Sequence, residues 1–164
     1  MYRIVEGVID PEALVRHVSD REVGGIATFF GTVRLHNAGK RVVAVEYQAY
    51  PAMAERILRK IGEEMRRDHG ALKSAILHRI GRLEIGEVSV GIAAGAPHRV
   101  QALGAVAHAI ERVKRAVPVW KREFYSDGSA WIEALPAASP EDGGPAGPGL
   151  KKTGKPELPR ALAR

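Results

Sequence analysis

The chain has 164 residues, of which 45% are hydrophobic and 27% charged, as expected for one soluble globular domain of ordinary size. It has no cysteine, which excludes disulfides, thiolate metal sites and thiol nucleophiles within this chain. The net charge of +6 would suit a nucleic-acid-binding protein, but three phenylalanines and two tryptophans offer few side chains for base stacking. No apolar run approaches the ~20 residues that cross a bilayer, and the N-terminus has no apolar signal stretch. We therefore expect a cytoplasmic protein with neither a nucleic-acid nor a membrane partner.

The first third of the chain predicts one short helix and two strands. Asp10 is a suitable N-cap and Pro11 fits the first helical position, so a helix should run to about Val18. Residues 24–33 are apolar and rich in strand-forming side chains, which predicts a buried strand flanked by glycines. Residues 41–47 alternate, and this alternation should place three side chains on one face: Val43, Val45 and Tyr47.

Two longer helices and further strands should follow. Pro51 begins a helix that Gly70 ends, and one stripe of that helix is apolar: Ala54, Ile57, Leu58, Ile61 and Met65. Residues 76–83 and 87–94 predict further strands, the second with inward-facing Val88, Val90 and Ile92. Pro97 begins a third helix, whose buried side we expect to consist of Val100, Leu103, Ala107 and Ile110.

A hairpin and a tail complete the predicted organisation. Residues 120–125 and 130–133 flank the turn signal Asp127-Gly128. The order of strands, helices and hairpins predicts an α+β fold of mixed α/β layers rather than a doubly wound sheet. Six of the ten prolines lie in residues 136–164. We therefore predict one domain over residues 1–135 and a Pro/Gly/Lys-rich C-terminal tail over residues 136–164.

The segment between Lys114 and Glu123 concentrates positive charge. It contains four cations, and Pro118 in its middle cannot continue a helix. Lys114 should therefore close one element and Lys121 should open the next, so that the two lysines can converge on an anion. On this segment alone, the alternative that its lysines only complement a helix dipole is equally good.

Two other segments supply basic candidates. Arg34 follows the first long strand in a glycine-bearing loop, a place where rigid sheets position functional residues, although a surface turn would also explain it. His98 and Arg99 lie at the start of the third helix, where unpaired amides favour anions. Six cationic candidates thus outline a basic pocket for a phosphorylated or carboxylated small substrate, with a lysine as the proton-transfer group: Arg34, His98, Arg99, Lys114, Lys121 and Arg122.

The sequence gives no sign of a metal or cofactor site. No two of the six histidines are spaced at i, i+4, and neither a phosphate loop nor a dinucleotide fingerprint occurs. We therefore predict neither a metal nor a bound cofactor.

The segments described above occur in the same order and with similar spacing in one known family. Over about residues 1–135 the chain resembles the large, catalytic subunit of molybdopterin synthase. The matching motifs are Gly-Thr-Val-Arg at 31–34 with Asn37 and Gly39, Val-Glu-Tyr-Gln-Ala-Tyr at 45–50 with Met53-Ala54, Arg-Ile-Gly at 79–81, Gly86-Glu87, Pro-His-Arg at 97–99, the segment 114–123, Gly128, and Trp-Ile-Glu at 131–133.

The resemblance implies an α/β-hammerhead-type fold with an additional antiparallel β subdomain. It also implies a homodimer that forms a heterotetramer with a small ubiquitin-like sulfur-carrier subunit. The Gly-Gly C-terminus of that subunit carries a thiocarboxylate, whose sulfur the enzyme transfers to cyclic pyranopterin monophosphate (precursor Z) to form the dithiolene of molybdopterin. A sulfurtransferase of this kind needs no cysteine and no cofactor, because its partner supplies the sulfur.

The resemblance further implies roles for individual residues. Lys114 would be the main catalytic lysine and Lys121 its companion. Substrate contacts would come from both lysines and from Thr32, Val33, Arg34, His98, Arg99, Arg122 and Glu123. Two other classes of function remain open. One is a non-catalytic adaptor for a ubiquitin-like tail, which the two intact lysines disfavour. The other is a basic RNA-binding domain, which predicts steep salt dependence of binding.

Overall fold

The computed structural model describes residues 1–126 and 128–132, which form the predicted α+β fold. The turn residue Asp127, the last predicted strand residue Glu133 and the predicted tail 136–164 lie outside the described residues. In chain order the elements are β1 (Tyr2–Val5), α1 (Pro11–Val18), β2 (Gly25–Thr32), β3 (His36–Asn37), β4 (Lys40–Ala49), α2 (Pro51–His69), β5 (Lys73–Arg79), β6 (Gly81–Glu84), β7 (Val88–Ala96), α3 (Arg99–Ala116), β8 (Val119–Tyr125) and β9 (Gly128–Ile132).

The first sheet has the strand order β1-β5-β7-β2 and is covered by helices on both faces. Strands β1 and β5 are parallel, whereas β7 runs antiparallel to both β5 and β2. Ile92 of β7 packs in the core shared with α2 and α3, and its neighbour Ala93 packs in the core beneath α1. Because side chains alternate along a strand, β7 is buried on both faces and forms the centre of the molecule.

The second sheet is antiparallel, with the order β3-β4-β8-β9. Strand β6 also pairs with β4, along the edge of β4 opposite to β8. This sheet corresponds to the predicted antiparallel subdomain. The predicted alternation over residues 41–47 was wrong at its start, because the register with β8 shifts between Val42 and Ala44. This bulge buries Val42 and leaves Val43 exposed, while Val45 and Tyr47 share a face as predicted.

The first two helices have the ends that the sequence predicts. Asp10 caps α1, since its Oδ1 accepts a hydrogen bond from the Glu12 amide at 2.9 Å. Helix α2 ends at Gly70, whose φ of +68° is in the left-handed region that favours glycine. The predicted apolar stripe of α2 is buried along its whole length.

The third helix differs from its prediction in both its start and its buried face. It begins at Arg99 with His98 as the N-cap, two residues after the predicted start at Pro97. Val100 and Leu103, expected in the core, are 72% and 62% exposed. The buried side consists of small residues, which let α3 approach α2 and the first sheet closely: Ala102, Ala105, Val106, Ala109, Val113 and Ala116.

The predicted C-terminal hairpin is confirmed within the described residues. Strands β8 and β9 pair antiparallel, and the pairing of Tyr125 with Gly128 leaves two residues in the connection. Among the described helices, none combines the length and the hydropathy that crossing a lipid bilayer requires.

Candidate active site

A cavity of about 670 Å³ lies where the two sheets meet the C-terminal end of α3, and its volume is within the range of small-molecule sites. On the second sheet, Tyr47 and Lys121 are paired across β4 and β8, as are Val45 and Glu123, so all four side chains face the same side. Three groups of residues complete the lining, from α3 and the segment after it, from the first sheet, and from the end of β2 and the turn that follows: Ile110, Val113, Lys114, Val117 and Val119; Phe29, Gly31, His78, Ser89 and Val90; and Thr32, Val33, Arg34 and Asn37.

The two lysines expected to converge do line the same cavity. Lys114 lies in the last turn of α3 and Lys121 lies in β8, on either side of Pro118, where the helix has already ended. Because proline cannot continue a helix, the chain changes from helix to strand between the two lysines, and both side chains reach the same cavity.

The two lysines have different surroundings. Nζ of Lys121 lies 2.8 Å from Oε1 of Glu123, and the Lys121 side chain is only 23% exposed. Lys114 is exposed at the cavity and makes no ion pair or hydrogen bond within the described part of the chain. Lys121 is thus held in place by a carboxylate, whereas Lys114 is available to a ligand.

Glu123 is the best-connected polar group of the site. It is 3% exposed and accepts hydrogen bonds from three side chains. The Asn37 amide donates to both carboxylate oxygens at 3.0 Å, the Tyr125 hydroxyl donates at 2.6 Å, and Lys121 completes the set. Burial by itself would raise the pKa of Glu123, but these three hydrogen bonds outweigh it and hold the pKa below its ordinary value.

A tight hairpin places Asn37 over Glu123. Strands β3 and β4 are joined by Ala38 and Gly39, both with positive φ (+48° and +77°), as a two-residue turn between antiparallel strands requires. The oxygen of the Asn37 amide accepts a hydrogen bond from Nη2 of Arg34 at 2.8 Å. Arg34, which the sequence placed in a glycine-bearing loop, is therefore tied to the buried carboxylate through one amide.

Thr32 and Val33, for which the family resemblance implies substrate contacts, line the cavity at the end of β2. Thr32 is exposed, whereas Val33 is buried and packs in the small core of the second sheet. The Val33 amide donates to the Glu87 carbonyl at 3.0 Å, so the backbone of this segment is fixed where it borders the cavity.

Arg122 does not line the cavity of the described chain. Successive side chains of β8 point to opposite faces, so Arg122 lies on the face opposite to Lys121 and Glu123. Its guanidinium lies 5.1 Å from the ring centre of Phe124, which also stacks with Arg82. The expectation that Arg122 belongs to the same basic pocket as Lys121 was wrong for this reason.

His98 and Arg99 are also absent from the cavity within one chain. They lie at the N-terminal end of α3, and Lys114 lies fifteen residues further along, a distance of about 22 Å at 1.5 Å per residue. The His98 amide donates to the Gln101 side chain at 3.2 Å, which satisfies one of the unpaired amides at this helix end. The six predicted cations therefore do not form one pocket in a single chain.

Several residues of the cavity were not singled out from the sequence. They lie inside predicted strands or helices, where we expected side chains to belong to the core: Phe29, Tyr47, His78, Ser89 and Ile110. Tyr47 is the exception, because it is paired with Lys121 across β4 and β8 and so faces the same cavity as that lysine. The other four residues come from β2, β5, β7 and α3, and only the three-dimensional structure shows that these elements meet at the cavity.

Comparison with known proteins identifies relatives of the chain. The family model described as "MoaE protein" matches residues 4–116. The molybdopterin synthase catalytic subunit of Bacillus subtilis is 46% identical over 131 residues, which are 80% of this chain and 83% of that protein. The crystal structure of molybdopterin synthase from Staphylococcus aureus has a TM-score of 0.77 at 38% identity, covering 80% of this chain and 96% of that one. A complex of subunits 1 and 2 of molybdopterin-converting factor from Helicobacter pylori shares the fold, with a TM-score of 0.66 at 21% identity over 80% and 89% of the two chains.

The buried carboxylate yields a prediction about stability and pH. In Glu123→Gln the side chain accepts at one oxygen only and turns an NH2 group toward other donors, so we expect a loss of roughly 1–3 kcal/mol in the free energy of unfolding near pH 7. The folded-state pKa of Glu123 lies below its unfolded value of about 4.3, so its contribution is complete above that pH and is lost as the pH falls through the folded value. Urea unfolding of both proteins from about pH 7 to pH 3 should therefore show the difference shrinking at acid pH.

A matched control is Glu111→Gln, which removes an exposed carboxylate 3.7 Å from Arg115. It should change stability by no more than about 0.5 kcal/mol. A Glu123→Gln deficit that stays constant over the whole pH range would contradict the assignment of a buried, ionised carboxylate.

Proposed function

Because the chain belongs to the MoaE family, the catalytic subunits of molybdopterin synthase, we propose that its cavity is where sulfur is transferred to cyclic pyranopterin monophosphate. Family membership makes the chain a sulfurtransferase of molybdenum cofactor biosynthesis. The observation that carries the proposal is the placement of Lys114 and Lys121 in one cavity, the first without a partner in the described residues and the second paired with Glu123.

The lining of the cavity suits the two parts of such a substrate. One part of its lining carries no charge, with the half-buried aromatic side chains of Phe29 and Tyr47 and the buried His78, and accommodates a planar ring system. Another part carries the exposed Lys114 and Arg34, which attract an anion. We propose that the ring enters first and that the phosphate stays among the cations.

The different surroundings of the lysines suggest different roles. Lys121, fixed by Glu123, keeps a positive charge at a set position and stabilises negative charge that develops during the reaction. Lys114, without a competing partner among the described residues, transfers the proton. This division keeps Lys114 as the main catalytic lysine and Lys121 as its companion.

We propose that the sulfur comes from a small ubiquitin-like subunit with a thiocarboxylated Gly-Gly C-terminus. The chain contains no cysteine, so it has no thiol with which to carry sulfur itself. The related protein from Helicobacter pylori is recorded as a complex of two subunits, which supports a small partner. A thiocarboxylate is an anion, and the exposed cations of the cavity would attract it. The reaction needs no bound cofactor in this proposal, and we place it in the cytoplasm.

A homodimer, within a heterotetramer, would give His98 and Arg99 a place in the site. One stripe of α3, exposed except for the half-buried Ile110, has residues spaced by three and four positions, the repeat of paired helices, and ends in the cavity: Val100, Leu103, Ala107, Ile110 and Lys114. If two α3 stripes pack antiparallel around Ala107, Val100 of one copy lies opposite Lys114 of the other. The neighbouring Arg99 then reaches the cavity of the second copy and can contact its phosphate.

The catalytic role of Lys114 is tested by Lys114→Ala. We expect single-turnover formation of the dithiolene from cyclic pyranopterin monophosphate and a thiocarboxylated partner to slow by ~10²–10⁴-fold, the usual contribution of a general acid or base. The matched control is Arg115→Ala, the adjacent cation, which is 72% exposed and pairs with Glu111. A Lys114→Ala rate within about threefold of the unmodified protein would remove Lys114 from the mechanism.

The dimeric site is tested by combining two chains that are each impaired by one substitution. A mixed dimer of Lys114→Ala and Arg99→Ala chains has one cavity with both Lys114 and Arg99 intact, if Arg99 acts across the dimer. We expect about half the activity of the unmodified dimer, measured on heterodimers purified with two different tags. If Arg99 acts only within its own chain, no cavity is intact, and activity stays at or below that of the Arg99→Ala dimer.

A further inference from the structure

His78 is a titratable group of the cavity that the proposed reaction does not use. It lies in β5, is 7% exposed, and lines the cavity beside Val90, its register partner in β7. Its imidazole and the ring of Tyr47 pack in a T-shaped arrangement, with ring centres 5.2 Å apart and planes at 72°. Its burial and the contact with Tyr47 restrict the orientation of the imidazole ring.

The hydrogen bond of His78 determines which ring nitrogen carries the proton. Nδ1 lies 3.0 Å from the carbonyl oxygen of Arg79. A carbonyl oxygen can only accept, so Nδ1 is the donor and Nε2 of the neutral ring has a free lone pair. Burial lowers the pKa of His78 to about 4, against a smaller raising effect of the Arg79 carbonyl, so the ring stays neutral near pH 7. Nε2 can therefore accept a hydrogen bond and cannot donate one.

Nε2 opens onto the cavity. It has no hydrogen-bond partner among the described residues. In the same part of the chain, every fully buried side-chain nitrogen or oxygen has a partner. Nε2 must therefore be reached by solvent, and the space that His78 borders is the cavity.

No described side chain donates to this acceptor, and the charged groups of the cavity offer no neutral acceptor of their own. Arg34, Lys114 and Lys121 only donate, and the carboxylate of Glu123 is already occupied by three donors. The hydroxyl of Ser89 donates to the Gly31 carbonyl at 3.1 Å. His78 thus presents a neutral acceptor to any ring that enters the cavity.

We propose that Nε2 of His78 accepts a hydrogen bond from an N–H group of the substrate's ring system and so determines which way round the ring enters the cavity. The inference rests on the proposed function, because it names the ring as the group beside His78. Pterin rings carry an amino group and ring N–H groups, all of which are donors. A ring that turns a carbonyl oxygen or a bare nitrogen toward Nε2 would leave two acceptors facing each other and would be rejected.

Two substitutions separate this role from a structural one. In His78→Asn the amide nitrogen lies near the position of Nδ1 and can still donate to the Arg79 carbonyl, but no atom reaches the position of Nε2. In His78→Gln the carboxamide extends to the position of Nε2. The control is His17→Asn, an exposed histidine on α1.

Calorimetry with cyclic pyranopterin monophosphate should show affinity about tenfold weaker in His78→Asn and within about threefold of the unmodified protein in His78→Gln and His17→Asn. In steady-state assays the loss should appear in KM more than in kcat. The reverse order, with Asn tolerated and Gln not, or no change in either variant, would overturn the proposal and leave His78 as a packing residue.

A measurement on the unmodified protein does not depend on whether the variants fold. With ¹⁵N-labelled histidine, the unprotonated Nε2 resonance of His78 should move upfield when the substrate binds, because its lone pair accepts a hydrogen bond. An unchanged resonance in the bound complex would overturn the proposal while leaving the proposed function intact. Failure of the unmodified protein to bind the pterin phosphate at all would overturn both.

Discussion

The buried carboxylate of Glu123 is the constraint around which the site is organised. An ionised group that is 3% exposed must be compensated by donors, and the structure brings them from two elements. Strand β8 supplies Lys121 and Tyr125, and the β3–β4 hairpin supplies Asn37, which in turn holds Arg34. One carboxylate therefore orders both the hairpin and the charged end of the cavity. Removing it would leave three donors without their acceptor, which is a larger perturbation than the loss of one ion pair.

Much of the fold follows from local sequence rules, and the errors have identifiable causes. The ends of α2 were predictable because Pro51 and Gly70 each suit one helix end, and its buried stripe has the helical period. The buried face of α3 was not, because close packing selects alanine there and leaves the larger Val100 and Leu103 exposed. The bulge that exposes Val43 depends on pairing with β8, about eighty residues away, and is invisible in the local alternation.

The candidate site was predictable only in part. The break at Pro118 correctly indicated that Lys114 and Lys121 belong to different elements that face one space. The same strand alternation excludes Arg122 from the face of Lys121, a consequence that charge counting overlooked. His98 and Arg99 lie at the opposite end of α3 from Lys114. They can therefore contribute to a cavity only in a second chain, which the sequence of one chain does not reveal. The uncharged part of the cavity lining comes from strand interiors that sequence patterns assign to the core.

In the proposed complex, one cavity holds the ring of the substrate beside its uncharged side chains and the phosphate beside its cations. A crystal structure of the unmodified protein with cyclic pyranopterin monophosphate tests this, because the substrate cannot react in the absence of the partner that supplies the sulfur. We expect the ring against Tyr47 and His78, with the phosphate within hydrogen-bond distance of Lys114 or Arg34. Substrate bound on the opposite face of the second sheet, beside Arg82 and Arg122, would contradict this placement, as would the phosphate beside the uncharged side chains.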